Sequence, residues 1–318
     1  FLKDTTGAEV EGPLTLKNLP HAVVVDAGFI LGPQAQFDTA ADSIYLARVR
    51  RVGDYFYFDF ESTAAVLFGT VLIAVVAVAI ALPISLGTAL FITEIAPKWM
   101  RSTLVALVDL MAAVPSVVYG LWGLFLLQGN IVGLSRWINT YLGWLPFFKV
   151  TGADPGSPLS SASVYTASTF IAGIVVAMMV MPIQCVVMRE VFSQVPAGER
   201  EGAYALGSTR WGMIRVVSIP FGRGGIIGGT MLGLGRALGE TIAVMLIISP
   251  RFDINFHVLE AGGNSVSSLI ALRYSEASGF GLSALMAAGL ALFALTIVVN
   301  FTASWFVNRS RSGASSEA

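Results

Sequence analysis

The chain has 318 residues, 55% hydrophobic and 12% charged, with a mean hydropathy of +0.75; soluble domains carry about a quarter charged residues, so a soluble globular domain is excluded and an integral membrane protein indicated. A formal net charge of −1, from 19 Lys and Arg against 20 Asp and Glu, shows none of the basic excess used to bind nucleic acid. The single cysteine, Cys185, excludes an intrachain disulfide and a multi-cysteine metal site.

Residues 1–63 are polar and punctuated by Gly12-Pro13 and Gly32-Pro33, with a basic cluster at Arg48, Arg50 and Arg51. Nothing there is long enough to span a bilayer, and a soluble extracytoplasmic segment with short strands or helices is expected. Five stretches then reach the roughly 18–20 apolar residues needed to cross the hydrocarbon core: about 64–92, 103–127, 164–188, 223–249 and 282–307. They must be helices, because unpaired backbone groups cannot be left in lipid. Pro83, Pro115 and Pro182 mark kinks or breaks within them. Between the second and third spans, Trp137, Tyr141 and Trp144 with Arg136 and Lys149 suit an interface-lying hairpin or half-helix with aromatic anchors.

The loop at 189–222 is too charged for lipid, and two short helices are read in it. The first takes Pro196 as its first helical residue and is stopped by Gly207 as a left-handed cap. Ser208 caps the second, in which Trp211, Ile214 and Val217 form an apolar stripe, and Pro220 ends it. Such a knob is equally well an interfacial helix pair or a surface for a partner. With this loop inside, nine Lys and Arg lie on inner faces and four between helices outside, which puts the tail, 308–318, in the cytoplasm. An outward N-terminal segment then calls for a helix before Phe1, so six spans are expected in the intact protein.

Three charges fall well inside the spans. Arg236 and Glu240 are separated by four residues in the fourth, where each charge costs about 2.5–3.5 kcal/mol at a helix centre. Either they form a structural ion pair, or they line a route on which Arg236 offers a guanidinium fork to an oxyanion. Gly225, Gly229 and Gly233 make a small-residue stripe for close helix approach, and Gly224, Gly228, Arg236 and Glu240 share a face. Asp109 in the second span could pair with Arg236 or sit near the cytoplasmic interface. Glu94, Gln184 and Asn300 are expected to be satisfied hydrogen-bonding groups, and His21 and His257 lack partners at metal spacing. No G-x-x-x-x-G-K-[ST], H-E-x-x-H or G-x-S-x-G run exists, so this chain supplies no Walker A phosphate cradle and any ATP-driven work falls to another subunit.

Glu201, Ala203, Gly207, Val217, Ile219 and Pro220 resemble the EAA loop of ABC importer permeases, with Gly202 in place of the middle Ala. More specifically, AAVPSVVYGLWGLF (112–125), REVFSQVP (189–196) and LGRALGETIAV (234–244) are similar to the C-subunit permeases of the phosphate-specific transport system, over about residues 60–307. The resemblance implies an all-α, MetI-like helix bundle of the type I ABC importer class, in the cytoplasmic membrane of a prokaryote. It implies that Glu201, Ala203, Gly207 and Pro220 belong to a coupling loop docked on an ATPase, where the apolar stripe adds Trp211, and that Arg236 and Glu240 belong to the phosphate pathway, to which Asp109 is added as a further charge within a span. The implied partners are a homologous A-subunit permease, a dimer of ATPase subunits that uses ATP and Mg, and an external phosphate-binding protein; this chain itself would bind no cofactor. Transport would run by alternating access. The alternatives are a permease for sulfate or molybdate, a secondary transporter or channel, for which no inverted repeat is evident, and, least favoured, a membrane enzyme.

Overall fold

The computed structural model describes residues 48–52, 55–59, 61–150, 162–275, 277 and 279–311. Most of the N-terminal segment, including His21, and the end of the tail lie outside the described residues. The first elements are strands β1 (Arg48–Val52) and β2 (Tyr55–Asp59), antiparallel with Arg48 opposite Asp59. Helices follow: α1 (Glu61–Leu90), α2 (Lys98–Ala113), α3 (Ser116–Trp122), α4 (Gln128–Asn130), α5 (Val132–Leu142), α6 (Thr169–Ser193), α7 (Ala197–Ala205), α8 (Arg210–Met213), α9 (Ile219–Leu238), α10 (Ile242–Ile247), α11 (Val266–Arg273) and α12 (Gly279–Arg311). The chain divides into two compact units, one of Phe1–Val71, Val132–Thr169 and Ile248–Ala294, the other of Leu72–Ile131, Phe170–Ile247 and Leu295–Ala318.

In the first unit, Val66, Val266, Leu269, Leu285 and Ala288 form a buried apolar cluster. Thr70 Oγ1 ties it together: it donates to Val66 O (2.8 Å) and accepts from Val266 N (3.0 Å), an otherwise orphaned donor at the start of α11. Around α5, buried Tyr165 accepts from Asn139 Nδ2 (2.9 Å), while Trp137 and Tyr141 of the same helix stay exposed. The loop after α10 is pinned by Arg251, whose Nη1 donates to Glu260 (2.9 Å) and whose Nε donates to Asp253 (2.7 Å). Those bonds, led by the one to Glu260, raise the pKa of Arg251 further above its ordinary value.

The second unit is built on a core of Ala89, Ile92, Val108, Cys185, Met188, Phe192, Met213 and Ile214. Here the structure corrects the expected spans. Three helical stretches among the described residues, Ala64–Ile95, Thr169–Ser193 and Leu282–Thr302, are long and apolar enough to cross a membrane. The stretch expected at 103–127 is two segments, Lys98–Ala113 and Ser116–Asn130, bent by 89°. Val114 is extended (ψ 130°) ahead of Pro115, since the proline ring crowds an α-conformed predecessor. Pro83 and Pro182, by contrast, lie inside α1 and α6.

The stretch expected at 223–249 is not one helix either. α9 ends at Leu238, Gly239 caps it, and α10 starts at Ile242. With seven glycines and two arginines, α9 falls outside the set of apolar spanning helices. Nor does Pro220 end the preceding helix: α8, a widened π turn at Ile214–Ser218 and α9 make one helical run from Arg210 to Leu238. Pro220 lacks the N–H that would bond Val216, and its ring crowds that carbonyl; the widened turn just before it supplies the room.

The glycine stripe seats α9 on α6. Gly225, Gly229 and Gly233 are all buried. A Cβ at Gly225 would fall 2.6 Å from Val191, one at Gly229 3.2 Å from the Gln184 carbonyl, and one at Gly233 2.6 Å from Val180. Replacing Gly225 by Val is therefore expected to lower the stability of the purified protein by about 1–3 kcal/mol through overpacking. Gly87→Ala, at a helical position with nothing within 4 Å, should leave stability level or raise it by up to ~1 kcal/mol. Unfolding of the two variants in the same detergent checks the contrast.

Candidate functional site

Two sites share the second unit, a knob at one end of the Arg210–Leu238 run and a cavity near the other. The knob begins at Pro196, which is not the first residue of α7 but the one before it: its φ of −58° is fixed by the ring, while its ψ of 135° is extended and the helix starts at Ala197. α7 stops at Gly207, whose φ of +82° only glycine adopts freely. Ser208 N donates to Ala203 O (3.1 Å) and Gly207 N to Tyr204 O (2.9 Å), the paired bonds of a Schellman end. The cap of α8 is Thr209, not Ser208: its Oγ1 accepts from Gly212 N at 3.2 Å.

The residues expected to face a partner sort cleanly by burial. Leu206 is 89% exposed and Trp211 64%, with Glu201, Gly207 and Pro220 also exposed. Ala203 and Val217 are partly buried against the apolar core, and Ile214 is buried within it. The expected stripe of Trp211, Ile214 and Val217 is thus divided, two residues anchoring the knob and one left outside. Two apolar side chains beside an exposed carboxylate make a surface with both contact area and a charge to read.

The knob is fastened from beneath. Glu94, whose side chain is only 4% exposed, lies in a second π turn, Phe91–Ile95, after α1. Its Oε1 meets Arg200 Nη2 of α7 at 3.1 Å and accepts from Ser218 Oγ at 3.0 Å. The same Arg200 Nη2 donates to Phe192 O at the end of α6 (2.9 Å). By its sequence Glu94 is an ordinary satisfied group; a carboxylate closing a long apolar run, with an arginine beside Glu201, is the signal that points further.

At the other end, an open cavity of about 530 Å³ has apolar walls from Ile183, Met231 and Leu232, with Gly228 and Gly235 set between them. Its polar groups are Arg236 and Asn300. Arg236, in the last turn of α9, is exposed, and no carboxylate among the described residues lies within ion-pair distance of it. Asn300, from α12, was not singled out as a site residue by the sequence, because nothing in its apolar surroundings relates it to Arg236 before the chain folds.

Glu240 does not share the face of Arg236. The helix ends between them at Gly239, Glu240 is buried, and its Oε1 accepts from Ala243 N in the first turn of α10 (3.2 Å). Asp109 stands 3.8 Å from Arg189 and is not among the residues lining the cavity. The structure therefore brings neither carboxylate to the guanidinium's face. What the cavity can do is receive a small anion: one unneutralised guanidinium and one amide, in apolar walls that leave an anion few better partners.

A family model, described as binding-protein-dependent transport system inner membrane component, matches residues 81–312. The chain is 43% identical to the phosphate transport system permease protein PstC of Pasteurella multocida, over 75% of this chain and 73% of that one. It is 38% identical to PstC of Mycobacterium leprae, over 91% and 84%. Among solved structures it resembles an inward-facing form of the MetNI methionine ABC transporter, with a TM-score of 0.54 at 11% identity, covering 78% of this chain and 95% of that one. A bacterial ABC transporter that imports alginate gives a TM-score of 0.53 at 17% identity, over 78% and 80%; at these identities the likeness is one of fold.

Gly207→Ala should penalise the left-handed cap by about 1–2 kcal/mol and speed amide hydrogen exchange at Gly207 and Ser208. Gly202→Ala, inside α7 with open space around it, should leave that exchange unchanged.

Proposed function

This chain belongs to the binding-protein-dependent transport system inner membrane components and, among them, to the phosphate transport permeases of the PstC kind, and from that membership we propose that it carries inorganic phosphate through the cavity at Arg236. It is a multi-pass inner-membrane permease of the ABC importer class, and it is not an enzyme. The observation that carries the substrate assignment is the exposed guanidinium in an apolar-walled cavity with no carboxylate among the described residues beside it.

A tetrahedral oxyanion suits that arrangement. Arg236 can donate two parallel N–H bonds to two phosphate oxygens, and the Asn300 amide can donate to a third. A carboxylate on the same face would repel the anion and neutralise the arginine. Glu240 instead stays buried at the head of α10, where it braces the break that leaves Arg236 at a helix end. Asp109 has a structural part, pairing with Arg189 where α6 leads into the knob.

The motor lies outside the chain. We assign Leu206, Trp211, Glu201, Gly207 and Pro220, with Ala203 behind them, to a surface that docks on a cytoplasmic ATPase subunit, and propose a cytoplasmic C-terminus from the excess of Lys and Arg on that side. A dimer of such subunits, using ATP and Mg, a homologous A-subunit permease and an extracytoplasmic phosphate-binding protein complete the importer. ATP-driven closure of the ATPase dimer would shift the knobs and turn the cavity from one side of the membrane to the other.

Arg236→Ala should reduce phosphate uptake by about 10- to 100-fold, the loss of a charged hydrogen-bond donor, while the protein remains assembled in the membrane; unchanged uptake rejects the route. Excess sulfate or molybdate should not compete with phosphate, and effective competition by either would reassign the substrate. Glu201→Lys and Gly207→Pro should each weaken co-purification of the ATPase, and full retention in both would remove the docking assignment.

A further inference from the structure

We propose that the Glu94–Arg200 ion pair, with Ser218, is the tie that transmits movement of the knob to the transmembrane helices; this rests on the permease reading above and adds positioning residues to it.

Four separate parts of the second unit meet at two atoms. Glu94 Oε1 takes Arg200 Nη2 at 3.1 Å and Ser218 Oγ at 3.0 Å. Arg200 Nη2 also holds Phe192 O at 2.9 Å. α1, by way of its π turn, α6 at its last turn, α7 and the π turn leading into α9 are thereby fastened to one another. A second arginine works on the same turn, Arg101 Nη2 donating to Thr93 O at 2.8 Å and binding the head of α2 to it. α7 and its cap have few other holds on the helices: Ala203 packs against the core, but Glu201, Gly202, Tyr204, Ala205 and Leu206 are all exposed.

Burial makes the tie stiff. With the Glu94 side chain 4% exposed, water cannot substitute for Arg200 or Ser218 if the knob shifts alone. A carboxylate abandoned in that surrounding is strongly disfavoured, so the pair, the turn and the knob move together. Ser218 then passes the displacement to α9, which runs about 27 Å to Arg236 at a rise of about 1.5 Å per residue. A push at α7 thus arrives at the cavity as motion of its guanidinium. Neither Glu94 nor Ser218 touches substrate.

The test uses the whole importer, with its partner permease, ATPase and phosphate-binding protein, reconstituted in liposomes. Glu94→Gln keeps the shape of the side chain and removes its charge. The expected result is an assembled complex with the ATPase retained and ATP hydrolysed, but with phosphate moved per ATP lowered about tenfold. An unchanged ratio overturns the proposal, and so does loss of the ATPase from the complex, because the pair would then serve docking. If Glu94→Gln is not recovered from the membrane, Ser218→Ala, which deletes one hydrogen bond, is read by the same ratio, expected to fall and overturning the proposal if level. A failure of the permease reading is distinct: the unsubstituted complex would itself hydrolyse ATP without moving phosphate.

Discussion

α9 lies against α6 at a distance that only glycine allows, and both functional ends of the second unit depend on that contact. At Gly225, Gly229 and Gly233 a β-carbon would meet Val191, the Gln184 backbone and Val180. In a membrane there is little hydrophobic gain in bringing helices together, so close packing has to supply the adhesion. The stripe fixes α9 lengthwise and in rotation. Ser218 at its head is thereby turned to Glu94, and Gly228, Gly235 and Arg236 to the cavity.

Charge placement follows from the same economy of burial. A charge in an apolar helix is tolerable where it has a partner, an open cavity or a helix end. Glu94 has Arg200, Asp109 has Arg189, and Glu240 has the first turn of α10. Arg236 sits in the last turn of α9, where the helix dipole favours a cation, and opens on a cavity. A guanidinium held this way is stabilised without being neutralised, which suits the binding and release of an anion proposed for it.

Much of this was legible in the sequence, for identifiable reasons. Long apolar runs announced α1, α6 and α12, because length and hydropathy alone decide whether a segment can span. Pro196 and Gly207 announced the knob, because one fixes φ and the other admits φ +82°. Spacing failed where regular geometry was assumed to continue. Arg236 and Glu240 are four residues apart, but that puts them on one face only if the helix continues, and it stops at Gly239. Pro220 was read as a terminator because a widened turn leaves no mark in a hydropathy pattern. Asn300 and Glu94 acquire their roles from contacts across the chain, Glu94 from a partner 124 residues away.

The widened turns themselves explain why such contacts form. A π turn inserts one extra residue into a helix, and one residue corresponds to about 100° of rotation. The turn at Phe91–Ile95 carries Glu94 and the turn at Ile214–Ser218 carries Ser218, so the two side chains that meet at 3.0 Å both come from places where a helix departs from regular winding. Restoring ordinary α geometry at either would swing its polar group well away from the other and leave a buried carboxylate or hydroxyl without its partner. Such turns are rare and occur mostly as single bulges inside α-helices, and they persist where tertiary contacts over-determine them. The turns position the bonds and the bonds hold the turns, and the joint beneath the knob is stable only as a whole.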